Sequence, residues 1–188
     1  MSLHNVWKVF FTSKDTVKTD NFSEAFREVC QFSTKDEFAY VWAHLFRVSQ
    51  LPAGTSIYFV RVLSAKSHLP TWENNINGGT YKFRRSYDTK ERQIQSVDRI
   101  WEKLVFGVVS EETQEPIIST IQAVIKHDQV EFVIWHNDVI NKRTFSRIQL
   151  KLGDILETKV NLIIYQTNQD SILDKDKLRK QDIERKQK

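Results

Sequence analysis

Two runs of β-branched and aromatic residues, 117–126 and 130–135, follow each other closely in the second half of the chain. Only His127, Asp128 and Gln129 lie between them. Three residues are too few for the crossover that two parallel strands require, which takes a dozen residues or more. The runs therefore predict an antiparallel hairpin, and such a hairpin favours a fold with an antiparallel sheet over a parallel α/β fold.

Helical and extended patterns alternate along the rest of the chain. Apolar residues at helical spacing predict three helices, at about residues 34–48, 94–105 and 145–155. Thr34 and Glu37 have the spacing of a capping box at the start of the first helix. Further strands are predicted at residues 6–12, 56–63, 80–86 and 159–165. This order predicts a single α+β domain with helices on one face of an antiparallel sheet and the other face free to hold a ligand.

Length and charge limit the kind of protein further. The 188 residues suit one domain, predicted at 1–168, followed by a charged tail at 169–188. A net charge of +4 favours an anionic partner only weakly. The single cysteine, Cys30, excludes an internal disulfide and a cysteine-based zinc site. We see neither a secretory signal nor an apolar run of about 18 residues, and we expect an intracellular soluble monomer without membrane contact.

Catalytic motifs are missing from the sequence. There is no glycine-rich phosphate loop ending in Gly-Lys-Ser/Thr and no His-Glu-x-x-His pair. The five histidines are scattered, and none stands in an evident triad context. We therefore expect a protein that is not an enzyme and that needs neither a metal ion nor a cofactor.

One predicted loop, residues 64–79, combines an aromatic with an acidic residue. In it Trp72 is followed directly by Glu73, and Gly78–Gly79 closes it. A carboxylate can accept both the N1–H and the exocyclic amine of a guanine. Methylation of guanine at N7 adds a positive charge, which favours stacking on tryptophan. The pair therefore predicts a site for a methylated guanine; the structural alternative is a surface loop whose Trp72 only covers the rim of the core.

Five short motifs follow one another along most of the chain. They are Asn5-Val6-Trp7 leading into Phe10-Phe11, Phe32 with Asp36-Glu37-Phe38, Pro70-x-Trp72-Glu73 with Gly78-Gly79, Asp98-Arg99-x-Trp101, and Val133-Ile134-Trp135. In order and spacing they resemble the eukaryotic translation initiation factor 4E family, the mRNA cap-binding proteins, over about residues 3–167. The resemblance implies a curved antiparallel sheet backed on its convex face by three α-helices, and a cytoplasmic protein.

The resemblance also implies roles for individual residues in binding the cap. Two aromatics sandwich the methylated base in the family, and Trp72 matches the second. Family spacing places the first at Phe22, where the family usually has tryptophan, so weaker stacking is expected. Glu73 matches the carboxylate that reads guanine, and Trp135 matches the residue against the N7 methyl group. The alternatives for the first aromatic are Phe26 and Phe32.

The basic residues that hold the cap phosphates in the family are only partly present. Lys126 matches one of them, whereas Glu131 and Thr80 stand at two other basic positions. If the hairpin turns at 127–130, Lys126 and Glu131 are cross-strand neighbours and can pair, which would partly neutralise the lysine. Candidates to replace the lost charges are Arg84, Arg85, Arg143, Arg147 and the tail residues Lys175, Lys177, Arg179 and Lys180.

The helical side of the family fold binds the scaffold factor 4G and its competitors. The family's exposed tryptophan on that side aligns with Ala39 here. Trp42, one turn further, is either a core residue or a displaced anchor for the partner. Other positions of the partner surface align with Lys35, Lys103 and Phe106. A partner helix is therefore still expected, but with altered recognition.

The leading hypothesis is a module that binds the 7-methylguanosine cap and recruits a 4G-like scaffold or a 4E-binding protein for translation initiation. The alternative is a protein-interaction module or translational regulator of the same fold with weak cap binding, suggested by Phe22, Thr80 and Glu131. The departures from the family pattern resemble those of the divergent trypanosomatid paralogues, whose caps carry extra methyl groups. A hypermethylated cap is therefore a second candidate ligand.

Overall fold

The structure, a computed structural model, describes residues 1–13, 22–62, 69–86, 91–110, 117–175 and 177. For residues 22–23 and 91–95 it describes the backbone but not the side chains. Elements below are numbered in chain order.

In the described part of the chain, seven strands form one sheet in the order β2-β1-β3-β5-β6-β4-β7. The strands are β1 Ser2–Thr12, β2 Arg27–Thr34, β3 Ser56–Val62, β4 Gly79–Ser86, β5 Ile118–Ile125, β6 Gln129–His136 and β7 Ile164–Thr167. All pairings in this sheet are antiparallel. The hairpin predicted from the sequence is β5–β6, in which Ile125 faces Val130 across the turn. The predicted α+β class with a curved antiparallel sheet is confirmed.

Three helices lie along the sheet, α1 Lys35–His44, α2 Glu91–Val109 and α3 Lys142–Ile155. The capping box predicted for α1 is present, because Thr34 Oγ1 accepts from the Glu37 backbone N–H at 3.2 Å and Glu37 Oε2 accepts from the Thr34 N–H at 3.0 Å. The helix is shorter than predicted: Leu45 is extended, with ψ 141°, and a separate 3-10 turn follows at Val48–Gln50.

Two strands differ from the sequence prediction. β2 was not predicted, because its residues are mostly polar and exposed, as befits an edge strand with no apolar alternation. The last strand was predicted at 159–165, but Val160–Leu162 forms a 3-10 turn and β7 starts at Ile164. Beyond β7, residues 168–175 and residue 177 are helical, and this segment is called α4 here. The domain boundary at 168/169 stays a prediction.

The main core lies between the sheet and the helices α1–α3. Trp101 of α2 packs against Phe59 of β3 and Phe132 of β6, with ring centroids 5.9 and 6.2 Å apart. Trp7 and Tyr81 are fully buried in the same cluster. Trp7, Tyr81 and Trp101 are thus core residues. Side chains alternate between the two faces of a strand. In β3–β6, every second side chain therefore points to the face of the sheet opposite the helices α1–α3.

The face of the sheet away from the helices is unusually polar for a buried surface. Thr80, Gln122 and Glu131 lie there with less than a tenth of their surface exposed. They share this face with Trp135 and Lys82, next to the loop that carries Trp72. Within the described parts of the chain, no helix is long and apolar enough to span a membrane.

Candidate functional site

A cavity of about 430 Å³ opens on the sheet face away from the helices. Three of the residues predicted to bind a ligand, Trp72, Glu73 and Trp135, line it together. The rest of the wall comes from Tyr58, Pro70, Thr71, Lys82, Gln122, Val124, Glu131, Val133 and Lys175. The cavity is therefore lined by the loop before β4, by the four strands β3–β6 and by one residue of α4.

The loop before β4 is shaped by asparagine. The Asn75 side chain is buried, and its amide donates to the Thr71 and Leu69 carbonyls at 2.9 and 3.2 Å. Asn168 at the start of α4 donates in turn to the Asn75 carbonyl at 2.7 Å. These bonds satisfy the backbone of a tight loop that the sheet leaves unpaired. They hold Trp72 and Glu73 at the mouth of the cavity.

The two predicted base-reading groups on the loop stay accessible, whereas Trp135 is held rigidly. Glu73 has 61% of its side chain exposed, and Trp72 is partly buried. Trp135 is only 7% exposed, and its indole Nε1–H donates to Gln122 Oε1 at 3.1 Å. The bond fixes the ring orientation in the cavity wall, because a buried indole N–H needs an acceptor. Trp135 can thus present its edge or face to a flat ligand without rearranging.

The first aromatic of the predicted sandwich falls outside the structural description. Phe22 begins the 3-10 helix Phe22–Ala25, and its side chain is among those not described. Of the two alternatives, Phe32 is excluded, because it is 1% exposed in the main core against Phe38 and Phe59. Phe26 lies on the cavity side, 5.0 Å from the ring of Tyr58, which lines the cavity.

The predicted phosphate-binding lysine is paired with an acid. Lys126 Nζ lies 2.9 Å from Glu131 Oε2, and Arg84 Nε lies 2.5 Å from Glu131 Oε1. Burial opposes ionisation of Glu131, but the bonds from Arg84 and Lys126 outweigh it and lower the pKa of this carboxyl. The cross-strand pair expected between Lys126 and Glu131 is therefore present. Glu131 neutralises one of the two cations, and Lys126 stands beside the cavity rather than free to bind a phosphate alone.

A second lysine, Lys82 of β4, points into the cavity itself. Its Nζ donates to the neutral amide oxygen of Gln166 at 2.9 Å, and the residue is half-buried. Desolvation lowers the pKa of Lys82, while the nearby Glu131 carboxylate acts in the opposite direction. A half-buried ammonium whose hydrogen-bond acceptor carries no charge retains its attraction for an anion.

Three of the lining residues, Lys82, Gln122 and Tyr58, were not identified from the sequence, and Lys175 was not placed in the cavity. Only Lys175 had been named, as one of several tail cations. Alternation along β4 from Thr80 would have placed Lys82 on the same face as the predicted phosphate position. No local signal in the sequence brings Lys175 of α4 to this cavity or Gln166 of β7 to Lys82.

The helical side of the molecule carries the predicted partner surface. Phe106 of α2 is 41% exposed, and its ring lies 5.2 Å from Trp42 of α1 at 89°. Ala39 and Lys35 are exposed on α1, while Lys103 is bonded to Glu157. A groove lined by Trp42, Phe46 and Val48 lies beside this pair. Trp42 thus packs at the rim of the core and still contributes to the surface.

Within the described residues, no group of three or more His, Cys, Asp or Glu side chains is arranged to hold a metal ion. The polar groups of the cavity instead separate into two parts. One part is aromatic and acidic, with Trp72, Trp135 and Glu73. The other consists of Lys82 and Glu131, and the cations Lys126 and Arg84 beside the cavity bond to Glu131, so that this part is basic on balance. This arrangement suits a flat cationic ring that carries an anionic substituent.

Comparison with known proteins identifies a matching family. Residues 2–183 match the family described as eukaryotic initiation factor 4E. Among curated proteins, the chain is 24% identical over 176 residues to eukaryotic translation initiation factor 4E-2 of Schizosaccharomyces pombe. That similarity covers 90% of this chain and 68% of the relative.

Solved structures share the fold. One is the Caenorhabditis elegans protein eIF4E-3 in complex with the 4E-binding protein Mextli, with a TM-score of 0.79 and 21% identity over 90% of this chain and 94% of that one. Another is Ascaris suum eIF4E-3 with the m2,2,7G cap, with a TM-score of 0.74 and 20% identity over 88% and 90% of the two chains. At these identities the likeness is one of fold.

Proposed function

The chain belongs to the eukaryotic initiation factor 4E family, and from that premise we propose that it binds the 7-methylguanosine cap of mRNA. The family consists of translation initiation factors rather than enzymes. The observation that carries the proposal is the convergence of Trp72, Glu73 and Trp135 on one cavity. We further propose that the helical side binds a 4G-like scaffold or a 4E-binding protein, so that a capped mRNA is brought to the initiation machinery.

Base recognition in this proposal rests on complementary charge and shape. The Glu73 carboxylate accepts the N1–H and the exocyclic amine of guanine. Its side chain is 61% exposed at the mouth of the cavity, where a base edge can approach it. Trp72 stacks on the positively charged ring as a cation–π contact, which is worth about 1–2 kcal/mol when desolvated. Trp135 closes the cavity near the N7 methyl group. Phe22 is the proposed aromatic on the opposite side of the base from Trp72, with Phe26 as the alternative.

The test of this function is a fluorescence titration with 7-methyl-GTP and with GTP. Stacking on Trp72 quenches its emission, and binding at about micromolar concentration corresponds to about −8 kcal/mol. We expect such binding for 7-methyl-GTP and much weaker binding for GTP, since the unmethylated base lacks the positive charge. Absence of quenching at millimolar concentration would favour the protein-interaction module with weak cap binding. The m2,2,7G nucleotide tests the hypermethylated cap in the same assay.

We propose that the phosphate bridge is bound mainly from β4, by Lys82 together with Lys126. Lys82 lines the cavity and is bonded to a neutral amide, whereas Lys126 shares Glu131 with Arg84. Lys82 should bind an anion more readily than Lys126, because no protein carboxylate is hydrogen-bonded to the Lys82 ammonium group. Thr80 and Glu131 stand at positions that are basic in the family. Lys82, two residues after Thr80 on β4, then partly offsets these lost charges.

Replacing Lys82 by methionine should weaken 7-methyl-GTP binding by about tenfold, because a charge-assisted bond to phosphate contributes about 1.5–3 kcal/mol and the site is partly solvated. Affinity for the nucleoside 7-methylguanosine, which has no phosphate, should change little. The salt dependence of 7-methyl-GTP binding should also become weaker. Lys159→Met removes the same charge at an exposed position outside the cavity and serves as the control. Equal losses for nucleoside and nucleotide would contradict a phosphate role.

The partner surface is supported by the exposed aromatic pair on the helical side. The Trp42 and Phe106 rings meet edge to face, and Phe46, which lines the same groove as Trp42, is 73% exposed. Exposed aromatics in one area are typical of protein-interaction sites. With Ala39 in place of the family's tryptophan, Trp42 and Phe106 are the proposed anchors, and Lys35 and Lys103 are proposed to lie at the rim.

The double variant Trp42→Ala, Phe106→Ala should reduce binding of a peptide from a 4E-binding protein by about 30-fold or more, since buried aromatic anchors contribute about 2 kcal/mol or more. Calorimetry with the purified protein measures the effect. Binding of 7-methyl-GTP should be unchanged, which shows that the fold is intact. Val139→Ala, at a 78% exposed apolar residue away from α1 and α2, is the control. Unchanged peptide binding in the double variant would refute this surface.

A further inference from the structure

Lys175 of α4 reaches into the cavity. Lys175 Nζ lies 5.5 Å from the centroid of the Trp72 ring and 3.5 Å from Glu73 Oε1. The side chain also lines the cavity wall. An ammonium group of the protein thus contacts both residues that are proposed to read the base.

These two contacts are of the same chemical kind as those proposed for a methylated guanine. A cation over an indole is attracted by the electrons of the ring, and a donor beside a carboxylate forms a charge-assisted interaction. The Lys175 ammonium and the methylated base each carry one positive charge. Both need the Trp72 ring and the Glu73 oxygens, so the two cannot be held there at full strength together.

The beginning of α4 is firmly attached to the loop that carries Trp72. Asn168 is fully buried; its backbone N–H donates to the Gly78 carbonyl at 3.0 Å and its side chain to the Asn75 carbonyl at 2.7 Å. Seven residues further along α4, Lys175 pairs with Glu73 of the loop, and these two side chains are 42% and 61% exposed. The exposed contact can therefore open while the buried attachment stays in place.

A chain of two hydrogen bonds also joins Asp174 of α4 to Lys82 in the basic part of the cavity. Asp174 Oδ2 accepts from Gln166 Nε2 at 3.2 Å, and Gln166 Oε1 accepts from Lys82 Nζ at 2.9 Å. A phosphate that binds Lys82 competes with this amide for the ammonium group. The same ligand would thus weaken the attachment of α4 at two points, one at the base and one at the phosphate.

We propose that α4 is an autoinhibitory latch, in which Lys175 occupies Trp72 and Glu73 in the free protein and is displaced when the cap binds. The inference rests on the proposed cap-binding function and adds a regulation of the same site. Because the closed form must open for any base, the latch lowers the affinity for all of them by the same factor. A cation–π contact and an exposed ion pair are individually weak, so we expect a factor of about five.

The experiment compares Lys175→Met with the parent in titrations with 7-methylguanosine and with 7-methyl-GTP. Methionine keeps a long apolar side chain and removes the charge. We expect both ligands to bind about fivefold more tightly. Lys175→Arg, which keeps the cation, should behave like the parent. Lys159→Met removes the same charge at an exposed position outside the cavity and should also leave both affinities unchanged.

A ligand-free measurement tests the contact separately. The indole N–H resonance of Trp72, identified by its loss in Trp72→Phe, should move in Lys175→Met and stay in place in Lys159→Met. A resonance that does not move overturns the latch, and so does an unchanged or lower affinity for 7-methylguanosine in Lys175→Met. A loss restricted to 7-methyl-GTP would make Lys175 a phosphate ligand instead. If neither parent nor variants bind 7-methylguanosine, the cap-binding proposal fails, while the resonance still decides whether the contact exists.

Discussion

Replacing Glu73 by glutamine is expected to weaken 7-methyl-GTP binding by about 100-fold while the protein stays folded. Glutamine keeps one acceptor oxygen, but its amide N–H₂ faces a donor of the guanine, so one bond is lost and an unfavourable contact is added. Hydrogen bonds to charged groups contribute about 1.5–3 kcal/mol, which corresponds to the expected loss. Release of the Glu73–Lys175 contact acts in the opposite direction, but its effect is smaller because that ion pair is exposed.

Fluorescence titration measures the affinity, and thermal unfolding checks the fold. The stability of Glu73→Gln should stay within about 0.5 kcal/mol of the parent, since the side chain is largely exposed. Glu102→Gln, on the exposed side of α2, removes the same charge far from the loop and should bind like the parent. Trp72→Ala should lose binding as Glu73→Gln does. If both site variants are retained on a cap column like the parent, the proposed base recognition is wrong.

Replacing Gly78 by alanine should lower the free energy of unfolding by about 3 kcal/mol, near the upper end of what overpacking costs. A Cβ atom at this position would lie 1.9 Å from the carbonyl oxygen of His136 and 2.9 Å from its carbonyl carbon. Backbone atoms of a paired strand cannot move aside as a flexible side chain can. Gly78 also accepts from Asn168 and donates to Asn75, so the clash should disturb the Trp72 loop and weaken cap binding as well.

Urea unfolding followed by circular dichroism measures the change in stability. Gly107→Ala is the matched control, because a Cβ there would lie 3.4 Å from the end of the Ile155 side chain, an ordinary contact. Gly107 lies inside α2, where alanine should stabilise the helix by about 0.5–1 kcal/mol. The two glycine variants are thus expected to differ in sign. An equal response of both would contradict the steric explanation at Gly78.

Several elements of the fold could be predicted because their signals are local. The capping box of Thr34 and Glu37 marks the start of α1 within one residue, since the two bonds involve only neighbouring residues. The β5–β6 hairpin followed from two apolar runs separated by a short turn. The central strands and the three helices along the sheet followed from the spacing of apolar residues, since each buries one face against the same core.

The elements at the edges of the sheet were harder to predict. Among the described strands, β2 pairs only with β1, and half of its side chains are exposed, so that it leaves no apolar pattern. β7 pairs with β4 on the opposite edge, and its start depends on where the 3-10 turn at Val160–Leu162 ends. In both cases the partner strand, not local propensity, decides which residues are extended.

The candidate site divides in the same way. Trp72 and Glu73 are adjacent, so a single loop carries the two groups proposed to bind a methylated guanine. The possible pairing of Lys126 with Glu131 followed from the position of the turn. These parts of the site were determined by the sequence alone. The resemblance to a family then extended them to Trp135 through motif order.

Only the tertiary structure decided what surrounds these residues. Lys82 meets Gln166, and Asn168 bonds to Asn75 across 93 positions of the chain; Lys175 reaches Trp72 only because α4 starts from that bond. The sequence determined which groups are available and which neighbours share a turn, a loop or a strand face. Contacts between distant segments depend on the pairing of β7 with β4 and on the buried attachment of α4, because chain folding, not local spacing, sets the distance between them.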